Sequence, residues 1–425
     1  MPVVDSILTL TLLTIVLSGG EFKRDCHRWW KKALEMVKAS GLHKVDVQFR
    51  STQEESHSPH ATSQEGTSAE AVHSREAQEE RRRLFWLLFS LDRHLALSHN
   101  TRVNLDDADC DVFVPLPDAL WEDFDVIPEA SLPPRILGPP TVVTGTSFFE
   151  YFLPLMAAMG DVIEIRRRRL HPRLGELNNE RSIAIVAELL AANSHALEQL
   201  ESQAGPAKVN NSTSPPAMRV DHMQRNREMS QSVAYPNVIR VPDSVKIRLV
   251  TAYSTYILHV LHILLYGKWD AISMLEDDGE WIVSERFLNC GSHAISASEE
   301  LSRILSLDPE LTFMPYLFGI YLLHGSFILL LFADRMPVLG SNESVERACE
   351  TIIRALEVSV ATLSTEFQVC PQHAAVTPIS DRADYQPENL SQDPEINLED
   401  CQRWACSGSA TESSEEDPVI VQVDE

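Results

Sequence analysis

Cysteine pairs with the spacing of a zinc ribbon or a redox motif are missing from this sequence of 425 residues. Its cysteines stand singly, and none forms a CxxC motif with another. Scattered thiols are typical of proteins from a reducing compartment, so the pattern excludes a small disulfide-bonded secreted domain. The seven positions are Cys26, Cys110, Cys290, Cys349, Cys370, Cys401 and Cys406.

Basic residues are also few relative to acidic ones. The chain has 36 lysines and arginines against 62 aspartates and glutamates, which gives a formal net charge of −26. Such a surface repels phosphate, so the composition excludes a basic nucleic-acid-binding module. The hydrophobic share of 44% is large enough for a sizeable core.

Motifs of the common enzyme and metal-site classes are absent as well. The sequence has no GxGxxG, no phosphate-binding GxxxxGKS/T, no HExxH and no GxSxG. Asp107, Asp109 and Asp111 have the odd spacing of a calcium-binding loop, but Val112 stands where that loop needs glycine. We therefore predict no catalytic, cofactor-binding or metal-binding residues, and a capped acidic loop at this position.

His259 and His262 lie one turn apart in an apolar segment, where they can present two metal ligands on one face of a helix. No third ligand is spaced to join them, so we expect core histidines that are hydrogen-bonded to neighbouring carbonyl groups. The arginine runs 81–83 and 166–169 have two interpretations, a nuclear-import or phosphate patch and a solvated helix surface. For 166–169 the second is favoured, because cations stabilise the C-terminal end of a helix.

Two apolar stretches raise the question of membrane insertion. Residues 7–17 resemble a signal-peptide core, but Asp5 stands where a positive charge is required, so we predict a buried helix. Residues 317–333 approach the length of a membrane span, which is about 20 residues. Because residues 324–326 interrupt this stretch and charges follow it, we predict a soluble protein without membrane contact.

Apolar residues recur at three- and four-residue spacing through most of the chain, which is the period of an amphipathic helix. Period-two alternation is never sustained, and the proline-rich segment 131–140 indicates a connector. We therefore predict an all-α fold. The clearest helical segments are 22–37, 84–95, 183–200, 287–305 and 345–363.

Changes in composition divide the chain into parts. Residues 50–78 and 203–243 are polar and poor in large apolar groups, so we predict two linkers that do not offset their own ordering entropy. In the predicted tail 369–425, the last 45 residues contain thirteen acids and two bases. We predict that this tail is disordered and serves either as an activation segment or as a solubilising one. The predicted helical parts are 1–49, 79–202 and 244–368.

The segment EERRRLFWLLFSLDRHLALSHNTRV resembles the middle regulatory region of fungal zinc-cluster transcription factors. That region combines an arginine pair, an aromatic-rich helix and an Asp-Arg pair. In physical terms, the helix buries its tryptophan and leucines, while the Asp-Arg pair bonds to chain ends around it. The matching residues are Arg82, Arg83, Phe85, Trp86, Asp92 and Arg93.

Longer stretches resemble one branch of that class, the xylanolytic activators and their arabinanolytic relatives. HVLHILLYGKWDAISMLEDDGEWIVSERF carries the general resemblance, whereas DADCDVFVPLPDALWEDFDVIPEASLPPRILGPPT is closer to the arabinanolytic branch. The similarity extends over residues 5–368 and is interrupted by the two linkers. It implies a multi-helical fungal transcription factor regulatory domain without enzymatic activity. The implied function is to activate genes of hemicellulose breakdown and pentose catabolism in the nucleus, in response to a sugar or polyol inducer.

The sequence departs from this family in its zinc chemistry. Members carry a six-cysteine zinc cluster upstream, whereas this chain begins inside the regulatory domain with cysteines that cannot supply one. We therefore expect zinc and promoter DNA to bind only through that missing cluster, and no cofactor in this chain. Transcription machinery, corepressor proteins and the inducer are the expected partners, and a homodimer is left open.

Two other interpretations of the function are left open. The chain can be a truncated paralogue that does not bind DNA and sequesters other activators, in the cytoplasm as well as the nucleus. A membrane or small-molecule enzyme is the third interpretation, suggested by the apolar helices. Beyond residue 368 the sequence diverges from its relatives, so a frameshift or a misplaced splice boundary is an alternative to a genuine activation segment.

Overall fold

The computed structural model describes residues 3–18, 23–46, 68–124, 127–128, 131–173, 179–203, 243–269, 271–275, 281–339 and 342–366. Over these residues the chain forms α-helices and no β-strand apart from one isolated bridge, which confirms the all-α prediction. In chain order the helices are α1 (Val3–Ser18), α2 (Lys23–Ala39), α3 (Ser68–Ser98), α4 (Asp118–Glu122), α5 (Phe148–Leu170), α6 (Glu180–Gln203), α7 (Asp243–Tyr266), α8 (Ala271–Leu275), α9 (Glu285–Leu307), α10 (Pro315–Leu339) and α11 (Glu343–Glu366).

Helix α2 arises from the apolar period predicted over 22–37. It ends at Ala39, and Gly41 follows with a φ of 67°, a left-handed conformation that glycine adopts without strain. The segments predicted over 183–200, 287–305 and 345–363 lie within α6, α9 and α11 in the same way. The buried face of α2 consists of Cys26, Trp30, Ala33, Leu34 and Val37.

Helix α1 is less buried than its composition predicts. Ile7 and two threonines face the interior, whereas large apolar side chains point outward. Thr11 and Thr14 donate their hydroxyls to carbonyls one turn earlier at 2.8 Å, so their burial leaves no hydroxyl unpaired. The prediction of a buried helix is therefore wrong for one face of α1. The exposed fractions on that face are 37% for Leu8, 53% for Leu12 and 56% for Val16.

Helix α3 begins earlier than the predicted linker allows. It starts at Ser68, so residues 68–78 of the predicted linker 50–78 are helical. This stretch is rich in alanine, glutamate, glutamine and arginine, which favour a helix intrinsically, and it runs into the buried part of α3. The other parts of the predicted linkers and tail, at 50–67, 204–242 and 369–425, lie outside the described residues.

Two hydrophobic cores hold the helices together. The first is formed by α1, α2 and α3 around the aromatic side chains of α3. The second and larger core is formed by α5, α6, α7, α9, α10 and α11. Helix α5 contributes Leu153 to the first core and Phe152 to the second. The two cores are therefore joined through α5.

Two of the core helices contain stretches that are long and apolar enough to cross a bilayer, Ser244–Tyr266 and Tyr316–Asp334. In the folded chain 72% and 61% of these stretches are buried inside the protein. A helix that is apolar on all sides and surrounded by other helices is typical of the centre of a large core. The structure thus places the predicted apolar stretch 317–333 in the second core.

Candidate functional site: a buried charge network around helix α3

The aromatic residues of the α3 motif attach the helix to the loop that follows it. Phe85 and Trp86 are fully buried, and the Trp86 indole donates to the carbonyl of Phe113 at 2.8 Å. Trp86 also packs edge-on against Phe85 and Phe89, with ring centroids 5.0 and 4.9 Å apart. This edge-on geometry is the one aromatic pairs prefer. The predicted burial of Trp86 is confirmed.

The charged residues of the motif and their acidic and basic partners are called here the α3 network. Each member forms a hydrogen bond or an ion pair with at least one other member. The four charged motif residues all belong to it. The members are Asp46, Glu79, Arg82, Arg83, Asp92, Arg93, Asp107, Asp118 and Arg135.

Arg82 forms a bidentate ion pair with Asp46, which lies between α2 and α3. Its Nε and Nη2 atoms donate to the two carboxylate oxygens at 3.0 and 2.6 Å, and both side chains are buried. Asp46 also accepts the backbone N–H of Phe113 at 2.8 Å. Burial alone would lower the pKa of Arg82, but the bonds and charges of Asp46 and Glu79 raise it. The buried guanidinium is therefore fully ionised and paired.

The carboxylate of Glu79 contacts three segments of the chain, including Arg82 on its own helix. Its carboxylate is completely buried and accepts the backbone N–H of Leu116 at 2.7 Å. The same carboxylate pairs with Arg135 at 2.5 Å and with Arg82 at 3.4 Å. Arg83, the residue after Arg82, donates to the carbonyl of Leu116 at 2.6 Å. The segment before α4 and the segment around 135 are thus both fixed to α3.

Asp92 and Arg93 fix the loop that leaves α3. The Asp92 carboxylate accepts the backbone N–H groups of Asn104 and Leu105 at 2.7 and 2.9 Å. Arg93 donates to the carbonyl of Leu105 at 2.7 Å and pairs with Asp107. Burial lowers the pKa of Arg93 and raises that of Asp107, and each charge opposes the shift of the other. The predicted bonding of the Asp-Arg pair to surrounding chain segments is confirmed.

The arginines and carboxylates of the network pair with one another and with backbone groups, although the buried Nε atoms of Arg83 and Arg93 have no hydrogen-bond partner. It has no serine, cysteine or histidine nucleophile paired with a base, so it offers no arrangement for covalent catalysis. Its chemistry is that of a clamp, which holds three loop segments against one helix. It gives this part of the chain a fixed shape.

The acidic stretch at 107–111 is the capped loop that the sequence predicts. The Asp106 side chain accepts the backbone N–H of Ala108 at 3.0 Å and caps a short 3-10 turn. Asp107 is used by Arg93, and the backbone N–H of Asp111 donates to the carbonyl of His43 at 3.0 Å. The carboxylates of Asp106 and Asp107 are therefore directed to protein partners.

The cysteines of the described residues are not arranged to form a zinc cluster. Four cysteines lie in the described residues, on separate elements, and Cys370, Cys401 and Cys406 lie outside these residues. Burial raises the pKa of Cys26 to about 11 and of Cys110 to about 12, whereas zinc ligands are thiolates. In the part of the chain that the structure describes, no three metal-ligating side chains are grouped to hold an ion.

His259 and His262 meet a third histidine that the linear spacing did not reveal. His293 of α9 lies against both, with its Nδ1 3.0 Å from Nδ1 of His259 and its ring stacked on His262 at 4.1 Å. The Nδ1 of His262 is buried and has no hydrogen-bond partner. At these two Nδ1 atoms the structure therefore shows a histidine partner and an unpaired group, and not the carbonyl partners that we expected for the histidines. Burial, with the neighbouring histidines, lowers the pKa of His259 to about 4 and of His262 to about 3.

Acidification should destabilise the protein through its deeply buried histidines. Burial lowers the pKa of His94 to about 3 and of His324 to about 4, from about 6.5 in an unfolded chain. The folded state keeps both rings neutral. Their contribution to the free energy of unfolding is therefore complete above about pH 6.5 and is lost as the pH falls toward 4. Between about pH 7.5 and pH 5.5, urea denaturation should show a loss of about 1.4 kcal/mol per histidine.

The variant His324→Leu tests this prediction through the slope of unfolding free energy against pH. The slope should become shallower in this variant, whatever its absolute stability. His195→Leu, at an exposed position of α6, should leave the slope unchanged. Asp161, whose pKa burial raises to about 6, acts in the opposite direction but is present in every variant. An unchanged slope in His324→Leu would contradict the assignment.

The two arginine runs are mostly engaged in the fold. Arg166 lies over the ring of Trp269 at 4.5 Å, and Arg169 donates to the carbonyl of Leu265 at 2.8 Å. The other two arginines of 166–169 pair with a glutamate one turn earlier, on the solvated surface that we predicted. In the run 81–83, two of the three arginines belong to the α3 network. The packed arginines do not favour a nuclear-import patch.

Sequence reasoning missed four members of the α3 network. Asp46, Glu79, Asp118 and Arg135 are not among the motif residues, and all but Glu79 are distant from them in sequence. Glu79 could have been found, because it precedes Arg82 by three residues on the same helix and such pairs face each other. Asp46 and Arg135 carry no local signal, since only the fold brings them to α3.

The α3 network lies within a region that matches a known domain family. Residues 2–149 match the family model of the fungal specific transcription factor domain. This confirms the family resemblance that the motif residues indicated. No solved structure gives a significant match to the chain.

Curated relatives extend the similarity beyond this domain. The xylanolytic transcriptional activator xlnR of Emericella nidulans is 39% identical over 382 residues, which cover 86% of this chain and 42% of the relative. The xlnR proteins of Aspergillus clavatus and Aspergillus niger are 37% and 38% identical, again over 86% of this chain, and over 39% and 40% of their own length. The chain thus spans about two fifths of the length of these relatives. The closer likeness to the arabinanolytic branch stays a prediction.

Proposed function

We propose that this chain is the regulatory portion of a fungal transcriptional activator for genes of hemicellulose breakdown and pentose catabolism. The observation that carries the proposal is the identity of 37–39% with xylanolytic activators over 86% of the chain. The α3 network is compatible with this role, because its buried charges pair with one another and fix the loops around α3. On this proposal the protein is a regulator and not an enzyme.

The finer parts of the proposal concern location and partners. The protein acts in the nucleus, where it contacts transcription machinery or corepressor proteins. Promoter DNA is bound through a zinc cluster that these 425 residues do not supply. The net charge of −26 supports a separate DNA-binding element, because this charge opposes phosphate binding by the chain itself. A small sugar or polyol is the inducer to which the regulatory portion responds.

A reporter assay tests this function. The 425-residue chain is fused to a heterologous DNA-binding module and expressed in a filamentous fungus that carries a reporter gene. Reporter transcription should rise when xylose or arabinose is added, because the regulatory portion supplies both the inducer response and the activating contacts. A fusion that is abundant and nuclear but gives no transcription under any carbon source would contradict the proposal and favour a sequestering paralogue.

A further inference from the structure

Helix α2 carries a positive face in a strongly negative chain. Its sequence includes six lysines and arginines against two acidic residues, whereas the whole chain has a net charge of −26. Arg28, Lys31, Lys32 and Lys38 are exposed on this face together with the acid Glu35, so the face is net positive. A local positive field on a negative protein attracts acidic segments selectively.

An aromatic ring lies within this positive face. The half-buried ring of Trp29 has the guanidinium of Arg28 at 5.6 Å and the ammonium of Lys32 at 5.7 Å from its centroid. Both are cation–π distances, so the two cations help to hold the ring in place at the surface. The face therefore combines positive charge with apolar area.

Helix α1 adds a second apolar surface next to α2, and these two packed helices are called here the α1–α2 hairpin. It packs along α2, and its outward stripe of Leu8, Leu12 and Val16 repeats every fourth residue, on one side of the helix. Apolar stripes of this kind mark interaction sites more often than scattered single residues do. The exposed stripe of α1 and the exposed positive face of α2, which belong to two helices packed against each other, are together called the hairpin surface.

One segment of this chain matches the hairpin surface in both respects. Residues 412–425, with the sequence ESSEEDPVIVQVDE, contain six acidic residues, no basic residue and a run of apolar side chains at 419–421. We propose that the hairpin surface binds residues 412–425 of the same chain. The acidic groups pair with the cations of α2, and the apolar run covers the stripe on α1.

Tethering makes a weak contact sufficient. Both partners belong to one chain, so the effective concentration of the segment at the surface is far above its concentration in solution. Mixed acidic and apolar segments are typical of activation segments. The regulatory consequence, that the domain holds back such a segment, rests on the proposed function, whereas the binding itself does not.

Zero-length carbodiimide cross-linking of the full chain, read by mass spectrometry, tests the contact. Lys31 and Lys32 should cross-link to acids in 412–425 at least about fivefold more often than Lys246 on α7 does, because of charge attraction and proximity. The cross-links should fall strongly at about 1 M salt, where the screening length is about 3 Å.

Variants that keep every reactive group test the apolar half of the contact. Leu12→Gln with Val16→Gln should reduce the α2 cross-links at least about threefold, since the apolar stripe is lost. Ile353→Gln with Val360→Gln, at exposed apolar positions of α11, should not change them. Circular dichroism of each variant checks that the helices remain folded.

Two outcomes would overturn the inference. Cross-links to Lys31 and Lys32 that are no more frequent than those to Lys246 would show that the segment is not bound there. Cross-links formed between isotopically distinct copies would assign the surface to a second chain instead. Neither result bears on the reporter assay, so the proposed function and this contact can fail separately.

Discussion

Replacing Leu322 by aspartate should abolish cooperative folding of the second core. Leu322 is completely buried in α10, within the larger hydrophobic cluster. A carboxylate at this position would be buried without a partner, and such a change costs more than about 4 kcal/mol. Because folded domains are stable by only about 5–15 kcal/mol, the loss is a large part of the total. Thermal unfolding followed by circular dichroism should show an early, broad transition or aggregation.

The matched control is Leu330→Asp on the same helix. Leu330 is 45% exposed, so its carboxylate would remain in contact with water. This variant should lose less than about 1 kcal/mol, as surface substitutions usually do. Equal melting of the two variants would mean that α10 does not occupy the core as described.

Replacing Arg82 by methionine should cause the second largest loss of stability. The change leaves Asp46 and Glu79 as buried carboxylates without their shared guanidinium. Removing one partner of a buried ion pair costs about 3–5 kcal/mol, because the remaining charge is uncompensated. Urea denaturation should therefore show a lower midpoint, with the first core unfolding before the second.

Two further variants separate the pairing from the general effect of substitution. Arg81→Met changes the exposed neighbour on the same helix and should be nearly neutral. Arg82→Lys keeps the charge but loses the two-pronged bond to Asp46, so it should fall between the wild type and the methionine variant. A stability for Arg82→Met equal to that of Arg81→Met would show that the α3 network contributes nothing to the fold.

The fold could be predicted where a helix has two different faces. Helices α2, α6, α9 and α11 alternate apolar and polar residues with the helical period, and the prediction located each of them. Helices α1 and α10 are apolar all round, so the period gives no direction. The sequence therefore could not tell that α1 turns its threonines inward, or that Leu322 is buried while Leu323 is only partly buried.

The candidate site could be predicted only in part. The motif on α3 pointed to its arginines, its tryptophan and its Asp-Arg pair, because these residues are clustered along one helix. Of their partners, Glu79 could have been found from its spacing to Arg82, whereas Asp46 and Arg135 come from separate segments that the fold brings together. His293 could not be predicted either, because it contacts His259 and His262 from a different helix.

The central claim, that the chain is a regulatory portion, is tested most directly by the reporter fusion with the fold variants included. The wild-type fusion should raise reporter transcription on a pentose and not on glucose. The Leu322→Asp fusion should lose this response, whereas the Leu330→Asp fusion should retain it. An unfolded Leu322→Asp fusion that activates as strongly as the wild type, or a wild-type fusion that is present in the nucleus and silent on every pentose, would contradict the account.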